Sequence, residues 1–305
     1  MDISTSTNIC AFQRGRERLP VEFSIEQCAR AGYRVLDINF CMAMNPDSPL
    51  RGPEWEPYVR SIGDLAKKHG IRFNQSHLPY YDVDRDRNTD KAALMEELIR
   101  RSIIGSAMLG ARWAVTHPFT VRAAGQDMAA SRQANLEYYG PHAALARKMG
   151  IGIALENDFE YQGERGRVYC ASVYELADLC DAFRDPDHVG VCYDFGHANL
   201  TGGFHRRNLN AIGKRLKAIH VQDNHGQADE HLLPFFGSID WEDAMRGLAE
   251  SGYGGDLTFE IQEFGRYLPP DLKYLAVRDS LAVGKHLVSL FQRFRTEMEE
   301  PSPQG

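Results

Sequence analysis

The segment HVGVCYD, residues 188–194, carries the pattern that decides the fold. Side chains alternate between the two faces of a strand, so Gly190, Cys192 and Asp194 share one face and the larger side chains share the other. Small residues followed by a polar one suit the interior of a narrow barrel with the polar group at its mouth. Larger side chains suit an outer face covered by helices.

The neighbouring segments repeat this pattern. In the preceding predicted strand, Gly152 and Ala154 lie on the same face as Glu156. In the following predicted strand, Ala218 lies on the same face as His220. Three predicted strands therefore share a small inner face that ends in a polar side chain.

Short apolar or β-branched runs alternate with stretches of helical period along the whole chain. The predicted strands are Ile3–Ile9, Arg34–Phe40, Ile71–His77, Arg112–His117, Ile151–Glu156, His188–Asp194, Leu216–Val221 and Asp256–Ile261. Strands that alternate with helices pair in parallel through right-handed crossovers. Eight such units predict a (β/α)8 TIM barrel in the α/β class, with a doubly wound open sheet as the alternative.

Capping residues and glycines mark the predicted helices between these strands. The predicted helices start at or near Ser24, Pro53, Thr89, Ser131, Ser172, Asp240 and Asp271. The last of them is predicted to run to about Phe294. The connection formed by residues 200–215 is short and poorly periodic, so it predicts no clear helix.

Composition sets the broad class. The chain has 305 residues, of which 43% are hydrophobic and 25% charged, and this excludes a disordered, collagen-like or coiled-coil protein. We expect one barrel domain over residues 1–298 and a disordered tail over residues 299–305. No apolar run is long enough to span a membrane, and the first 20 residues lack an apolar signal core.

Charge and cysteine usage indicate the surroundings of the protein. The net charge of -7 gives no general basic surface, which argues against nucleic acid as a partner. The six cysteines are scattered without short disulfide-type spacings, which indicates reduced thiols and a cytoplasmic location.

Six consecutive predicted strands end in a side chain that can bind a metal. These side chains are His77, His117, Glu156, Asp194, His220 and Glu260. The carboxyl ends of the strands of a barrel meet on one face, so we expect the six to converge. The three carboxylates and the imidazole of the last four suit Mn²⁺, Mg²⁺ or Zn²⁺ with open positions for a substrate.

Six segments carry a resemblance to a known family. They are SHLPYYD (76–82), VTHPF (115–119), ALENDF (154–159), VCYDFGHANLTGG (191–203), IHVQDNHGQADEHLLPFFGSIDW (219–241) and TFEIQEF (258–264). The chain resembles the xylose isomerase-like TIM-barrel superfamily of sugar isomerases and epimerases, inosose-processing enzymes and type IV apurinic endonucleases. The resemblance implies the barrel and, by position, a divalent metal ion, most simply one per chain, held by Glu156, Asp194, His220 and Glu260.

The apurinic endonucleases of this superfamily hold three zinc ions, and the matching segments imply a second set of positions here. These are His77, His117, His197, Asp229 and His231, which could hold a second or third metal ion or contact the substrate. Tyr80 matches an aromatic residue of the nuclease site.

The segment LDINF (36–40) resembles the second strand of the sugar isomerases, in which Asp37 or Asn39 could face a polyol. We therefore predict a metal-dependent sugar isomerase or epimerase, or a related lyase on a keto-sugar. A zinc-dependent phosphodiesterase similar to the apurinic endonucleases is the alternative.

In the isomerase hypothesis, Glu156 and Glu260 are the catalytic carboxylates that move a proton beside the substrate carbonyl. The substrate is a small carbohydrate, and the predicted substrate-binding residues are Asn39, Tyr80 and Trp113. A homo-oligomer is left open.

Overall fold

The computed structural model describes residues 1–13, 18–122, 127–160 and 166–299. The strands are β1 (Ile3–Ser6), β2 (Val35–Asn39), β3 (Arg72–His77), β4 (Trp113–Thr116), β5 (Gly152–Glu156), β6 (Val189–Asp194), β7 (Leu216–His220) and β8 (Leu257–Phe259). The α-helices are α1 (Val21–Ala31), α2 (Trp55–Lys68), α3 (Val83–Asp86), α4 (Asp90–Met108), α5 (Met128–Lys148), α6 (Val173–Ala182), α7 (Phe195–Leu200), α8 (His205–Ile212), α9 (Trp241–Glu250) and α10 (Lys273–Glu299). Of the predicted tail, residues 300–305 lie outside the described residues.

The eight strands form one parallel sheet in the order β7-β6-β5-β4-β3-β2-β1-β8. The two edge strands meet where Val221, just after β7, bridges to Phe259 of β8. Two backbone hydrogen bonds hold this junction, from Val221 N to Thr258 O (2.8 Å) and from Glu260 N to Val221 O (3.1 Å). The sheet therefore curls into a nearly closed ring, and the predicted (β/α)8 barrel is confirmed.

The inner face of the barrel is lined by small residues, as the alternating pattern predicts. Ala154, Cys192 and Ala218 pack together with Val115 in a buried cluster of their own. The larger side chains of the same strands belong to a separate core that lies between the sheet and the surrounding helices. The two cores together fix the direction in which each strand-end side chain points.

Trp113 fills the lower part of this interior. It is the first residue of β4, and its ring packs against the inner cluster. A Cβ atom at Gly152 would lie 2.1 Å from the Trp113 ring, so the neighbouring strand needs glycine there. The prediction that Trp113 contacts the substrate is therefore not supported, because the ring lies at the end of β4 away from the strand-end residues.

Several helices begin where the sequence predicts and others do not. Thr89 caps α4 and Asp240 caps α9 through side-chain hydrogen bonds to backbone N–H groups. Helix α1 begins at Val21, three residues before Ser24, because Pro20 immediately before it has a fixed φ that suits the start of a helix. Asp127 caps α5, which therefore begins at Met128 rather than at Ser131.

Two connections differ from the prediction. The connection after β6 forms two short helices, α7 and α8, although its sequence has little periodicity. The last helix begins at Lys273 because Pro270–Leu272 forms a separate 3-10 turn, and it runs on to Glu299. The six cysteines are buried and form no disulfide. Among the described helices, none is both long and apolar enough to cross a membrane.

Candidate metal centre

The structure brings four strand-end side chains into one cluster, the central cluster. It consists of Glu156, Asp194, His220 and Glu260, one ligand atom of each lying within 4.8 Å of the others. The first three are fully buried, and Glu260 is 6% exposed. Glu156, Asp194 and His220 are the last residues of β5, β6 and β7, and Glu260 directly follows β8. Parallel pairing delivers these ends to one face, which is why residues far apart in sequence meet.

His220 lies between two carboxylates of the central cluster. Its Nδ1 atom is 2.8 Å from Glu156 Oε1 and 3.6 Å from Glu260 Oε2. Its Nε2 atom faces away from them, 3.4 Å from Asp37 Oδ2. Asp37 is 1% exposed and lies inside the barrel beneath His220, so it does not face a polyol as the sequence suggested.

A second group surrounds the other oxygen of Glu156. The Nε2 atoms of His77 and His117 lie 3.1 Å apart, and both are close to Glu156 Oε2, at 3.6 and 3.5 Å. The Nδ1–H of His77 can donate to the carbonyl oxygen of Leu78 at 2.9 Å, which turns Nε2 towards the cluster. The carboxylate of Glu156 is therefore placed to bridge two ligand sets.

A third group forms around Asp229. Its Oδ2 atom is 2.8 Å from His231 Nε2 and 3.6 Å from His197 Nε2. The remaining ring nitrogens face backbone carbonyls, His197 Nδ1 that of Asn157 and His231 Nδ1 that of Glu260. Each imidazole is thus oriented with Nε2 towards Asp229.

The loop that carries Asp229 and His231 is fixed by a buried carboxylate. Asp223 accepts hydrogen bonds from the backbone N–H groups of Asn224, Phe235 and Ile239 and from the indole N–H of Trp241. His231 itself has a left-handed backbone (φ 46°), a conformation that costs energy in residues other than glycine. Strain at a side chain that points into a polar cluster is typical of a functional site.

Gln222 is a member of the site that our sequence analysis missed. Its Nε2 atom donates to Asp229 Oδ1 at 2.7 Å and to Asp194 Oδ1 at 3.3 Å, so it connects two of the groups. A Cβ atom at Gly196 would lie 2.0 Å from the Gln222 side-chain amide, which explains the glycine in the segment DFGH. The signal was present in the sequence, since Gln222 follows His220 by two residues, the period of a strand.

Burial and charge shift the protonation of these groups. Burial raises the pKa of Asp194 to about 7, and Glu156 adds to this while His197 opposes it. Burial alone would raise the pKa of Glu156, but His220 and His117 hold it well below its ordinary value. Burial lowers the pKa of His117 to about 3, so this imidazole is neutral at pH 7 and free to act as a ligand.

The other imidazoles compensate for the carboxylates. Burial opposes protonation of His197 and His220, yet the surrounding acids raise the pKa of both well above the ordinary value. The pKa of His231 is raised to about 9, since Asp229 outweighs the effect of burial. Protonated imidazoles therefore balance the charge of the buried acids, and a bound metal ion would balance it in their place.

The donors of the central cluster fit a divalent cation. Among the described residues, Glu156 Oε2 and Asp194 Oδ2 are buried side-chain oxygens without a hydrogen-bond partner. An unpartnered, buried carboxylate oxygen is costly unless a cation or donor meets it. Three carboxylates and one imidazole suit Mn²⁺, Mg²⁺ or Zn²⁺.

A cavity of about 560 Å³ opens above the clusters. His77, His117, His197, Asp229, His231 and Glu260 line it, whereas Glu156 and Asp194 do not. Tyr80, which is 52% exposed, and Asn39 also line the cavity, and the Tyr80 ring centre is 5.2 Å from that of His117. Asn39 Oδ1 accepts the backbone N–H of Cys41, which fixes the side chain in place.

Comparison with known proteins gives one family. The model of the xylose isomerase-like TIM barrel matches residues 25–282 of this chain. The uncharacterized protein y4fM of Sinorhizobium fredii is 38% identical over 269 residues, which are 86% of this chain and 77% of that protein.

Two relatives with named activities are more distant. A probable endonuclease 4 from a Geobacillus strain is 29% identical over 189 residues, which cover 57% of this chain and 60% of that enzyme. Fructoselysine 3-epimerase of Escherichia coli O157:H7 is 22% identical over 266 residues, covering 82% of this chain and 88% of the epimerase. The match to the endonuclease thus spans less than two thirds of its length.

Solved structures with the same fold cover nearly the whole chain. A D-tagatose 3-epimerase-like protein has a TM-score of 0.73 at 20% identity and covers 98% of this chain and 100% of its own. The zinc-bound IolI protein has a TM-score of 0.70 at 15% identity and covers 96% of this chain and 99% of its own. At these identities the likeness shows the fold alone.

Proposed function

Since the chain belongs to the xylose isomerase-like TIM-barrel family, we propose that it is a divalent-metal-dependent sugar epimerase or isomerase. A related lyase on a keto-sugar would use the same groups. The observation that carries the proposal is the central cluster, in which the carboxylates of Glu156 and Glu260 both face His220 beneath a cavity of about 560 Å³. A cavity of this size suits a small carbohydrate. The names of the epimerase relative and structural neighbour agree with it.

The proposed metal ligands are Glu156, Asp194, His220 and Glu260. When bound, a divalent ion would polarise a substrate carbonyl and stabilise negative charge that develops on its oxygen. One ion per chain is sufficient for this chemistry, and the ion is Mn²⁺, Zn²⁺ or Mg²⁺.

Glu260 and Glu156 would move the proton. Glu260 lines the cavity and can reach a carbon-bound proton of the substrate. Glu156 lies deeper and does not line the cavity, but its low pKa keeps it ionised at neutral pH, so it would act as the second carboxylate of the proton transfer where a bound substrate reaches below His77 and His117. Transfer between two carboxylates inverts the carbon, whereas return to a neighbouring carbon isomerises the sugar.

The remaining cavity residues would bind and orient the substrate. His197, Asp229 and His231 offer donors and acceptors suited to sugar hydroxyl groups. Tyr80 and Asn39 lie on the same cavity wall as His77 and contribute an aromatic face and an amide. Cavity walls that fix the sugar relative to Glu260 would supply much of the catalysis.

The test is exchange of a carbon-bound hydrogen with solvent. Purified protein is loaded with Mn²⁺ or Zn²⁺ and incubated in D₂O with a panel of ketoses, inososes and keto-glycosides, and deuterium incorporation is followed by NMR. We expect exchange with at least one sugar class, and its loss in Glu260→Gln and Glu156→Gln. Glu263→Gln, in the same loop and paired with Arg266, is the matched control and should keep exchange. Absence of exchange across the panel would refute the proposal.

A phosphodiesterase is a second candidate, supported by the two outer groups. His77, His117 and Glu156 form a second group that could hold a metal ion, and the imidazoles of His197 and His231 lie beside Asp229 Oδ2. Clusters of two or three ions activate water for attack on phosphate esters. The probable endonuclease 4 relative agrees with this alternative.

Metal content separates the two candidates. Elemental analysis of the purified protein after equilibration with Zn²⁺ should give about one ion per chain for sugar chemistry and about three for the nuclease. Cleavage of an oligonucleotide with one abasic position is measured in parallel. Three ions together with cleavage would overturn the sugar proposal in favour of the second candidate.

A further inference from the structure

A chain of hydrogen bonds crosses the barrel interior beneath the central cluster. Ser4 Oγ donates to Asn74 Oδ1 (3.1 Å), and Asn74 Nδ2 donates to Thr258 Oγ1 (3.0 Å). Thr258 Oγ1 in turn donates to Gln75 Oε1 at 3.3 Å. These residues come from β1, β3 and β8, and they form a polar half of an interior whose other half is apolar.

The chain of hydrogen bonds ends at Asp37 of β2. Gln75 Nε2 donates to Asp37 Oδ2 at 3.2 Å and also to the carbonyl oxygen of Ile219 at 3.4 Å. Asp37 is 1% exposed, does not line the cavity and lies on the far side of His220 from Glu156, so it is not placed to contact a substrate. Burial of a carboxylate at this depth costs free energy, and its hydrogen-bond partners indicate its role.

The functional partner of Asp37 is His220. Asp37 Oδ2 lies 3.4 Å from Nε2 of the imidazole, on the side opposite Glu156. The other ring nitrogen, Nδ1, is 2.8 Å from Glu156 Oε1. An imidazole that binds a metal ion is neutral and carries its proton on one nitrogen only, so an acceptor at Nε2 would keep the proton there and leave the lone pair of Nδ1 for the ion.

We propose that Asp37 is a positioning residue that holds His220 in the tautomer and orientation that bind the metal ion. This rests on the proposed metal site. Gln75 supports this arrangement through two hydrogen bonds. One fixes the Asp37 carboxylate, and the other goes to the carbonyl oxygen of Ile219, directly before His220. Carboxylates that hold the second nitrogen of a metal-bound histidine tune metal affinity in this way.

The experiment measures binding of Mn²⁺ alone, from the electron paramagnetic resonance signal of the free ion. We expect Asp37→Asn to bind about 10–100-fold more weakly than the wild type, since the neutral amide neither attracts nor orients the imidazole N–H as a carboxylate does. Thr258→Val, a shape-conserving change two links away in the same network, is the matched control and should bind as the wild type does.

The tautomer is read separately, without activity. In long-range ¹H–¹⁵N spectra of the zinc-loaded protein with labelled histidine, His220 should be protonated at Nε2 in the wild type. A mixture of tautomers, or loss of the His220 metal shift, is expected in Asp37→Asn. Gln75→Met, which removes the donor to Asp37 but keeps the carboxylate, should weaken Mn²⁺ binding in the same direction and serves if Asp37→Asn does not fold.

The outcomes are distinct. Unchanged Mn²⁺ affinity in Asp37→Asn, or in Gln75→Met if the former does not fold, would overturn the role of Asp37 and leave the metal site standing. A wild-type protein that binds no divalent ion would refute the metal site of the proposed function and the role of Asp37 with it.

Discussion

Oε1 of Glu156 lies 2.8 Å from Nδ1 of His220, deep inside the barrel and shielded from solvent. The other oxygen of the same carboxylate faces the imidazoles of His77 and His117. The carboxylate of Glu156 therefore belongs to two potential ligand sets, the central cluster and the group of His77 and His117. It is the one residue of the central cluster that belongs to both.

Replacement of Glu156 by glutamine should weaken metal binding more than any change outside the cluster. The amide removes the negative charge that both sets share. We expect the affinity for the most tightly bound divalent ion to fall by at least about tenfold, because even changes to residues that contact only a metal ligand lower the affinity by about that much. Isothermal titration of the metal-free variant with Zn²⁺ measures this. The same titration of Glu263→Gln should match the wild type, and an equal affinity for Glu156→Gln would show that Glu156 is not a ligand.

Metal binding should release protons, and its affinity should rise with pH. Nearby acids raise the pKa of His197 and His220 well above the ordinary value and that of His231 to about 9, so these imidazoles carry protons at pH 7 in the metal-free protein. A metal ion displaces those protons, and fewer remain to be displaced as the pH increases towards 9. Titrations in buffers of different ionisation enthalpy would count the protons. A binding enthalpy that is the same in all buffers would contradict the prediction.

The stability that His205 contributes to the metal-free fold should fall as the pH is lowered from 7 to 5. Burial lowers the pKa of this imidazole from 6.5 to about 4, so the unfolded chain binds the proton more tightly. The stability that comes from a neutral His205 is present above pH 6.5 and is lost as the pH falls towards 4. Between pH 7 and pH 5 the loss is about 2 kcal/mol.

Urea unfolding at both pH values tests this. Between pH 7 and pH 5, the free energy of unfolding of His205→Gln should fall by about 2 kcal/mol less than that of the wild type. His286→Gln, on the exposed side of α10, is the control and should lose as much as the wild type. If His205→Gln loses as much as the wild type, the proton is taken up elsewhere.

The close contact of Gly152 with Trp113 predicts a large effect of one methyl group. A Cβ at position 152 would lie 2.1 Å from the ring and 2.9 Å from the carbonyl oxygen of His188, so Gly152→Ala must displace the ring or the strand. We expect a loss of about 2 kcal/mol in the free energy of unfolding, typical of overpacking. Gly254→Ala, with open space around the new Cβ, should be near neutral. A neutral Gly152→Ala would contradict this packing of the barrel interior.

The fold could be predicted because the residues that face the inside of the barrel differ in size from those that face the helices. The alternation of small and large residues in β5, β6 and β7 reflects which face points inward, and this depends on local geometry alone. Helix starts were less predictable, because Pro20 and Asp127 compete with Ser24 and Ser131 and local patterns do not decide between them.

The candidate site was predictable where it depends on strand ends. Parallel strands deliver their final residues to one face, so His77, Glu156, Asp194 and His220 converge whatever the connections do. The same rule argues against Trp113, which begins its strand rather than ending it. The role of Asp37 was out of reach, because its depth below His220 depends on the register across the barrel.

X-ray diffraction at the manganese absorption edge, from crystals grown with Mn²⁺, tests the central claim most directly. The account predicts an anomalous peak within bonding distance, about 2.0–2.4 Å, of oxygen atoms of Glu156, Asp194 and Glu260 and of Nδ1 of His220. A fully occupied peak elsewhere, or no peak in this cluster at saturating Mn²⁺, would contradict it.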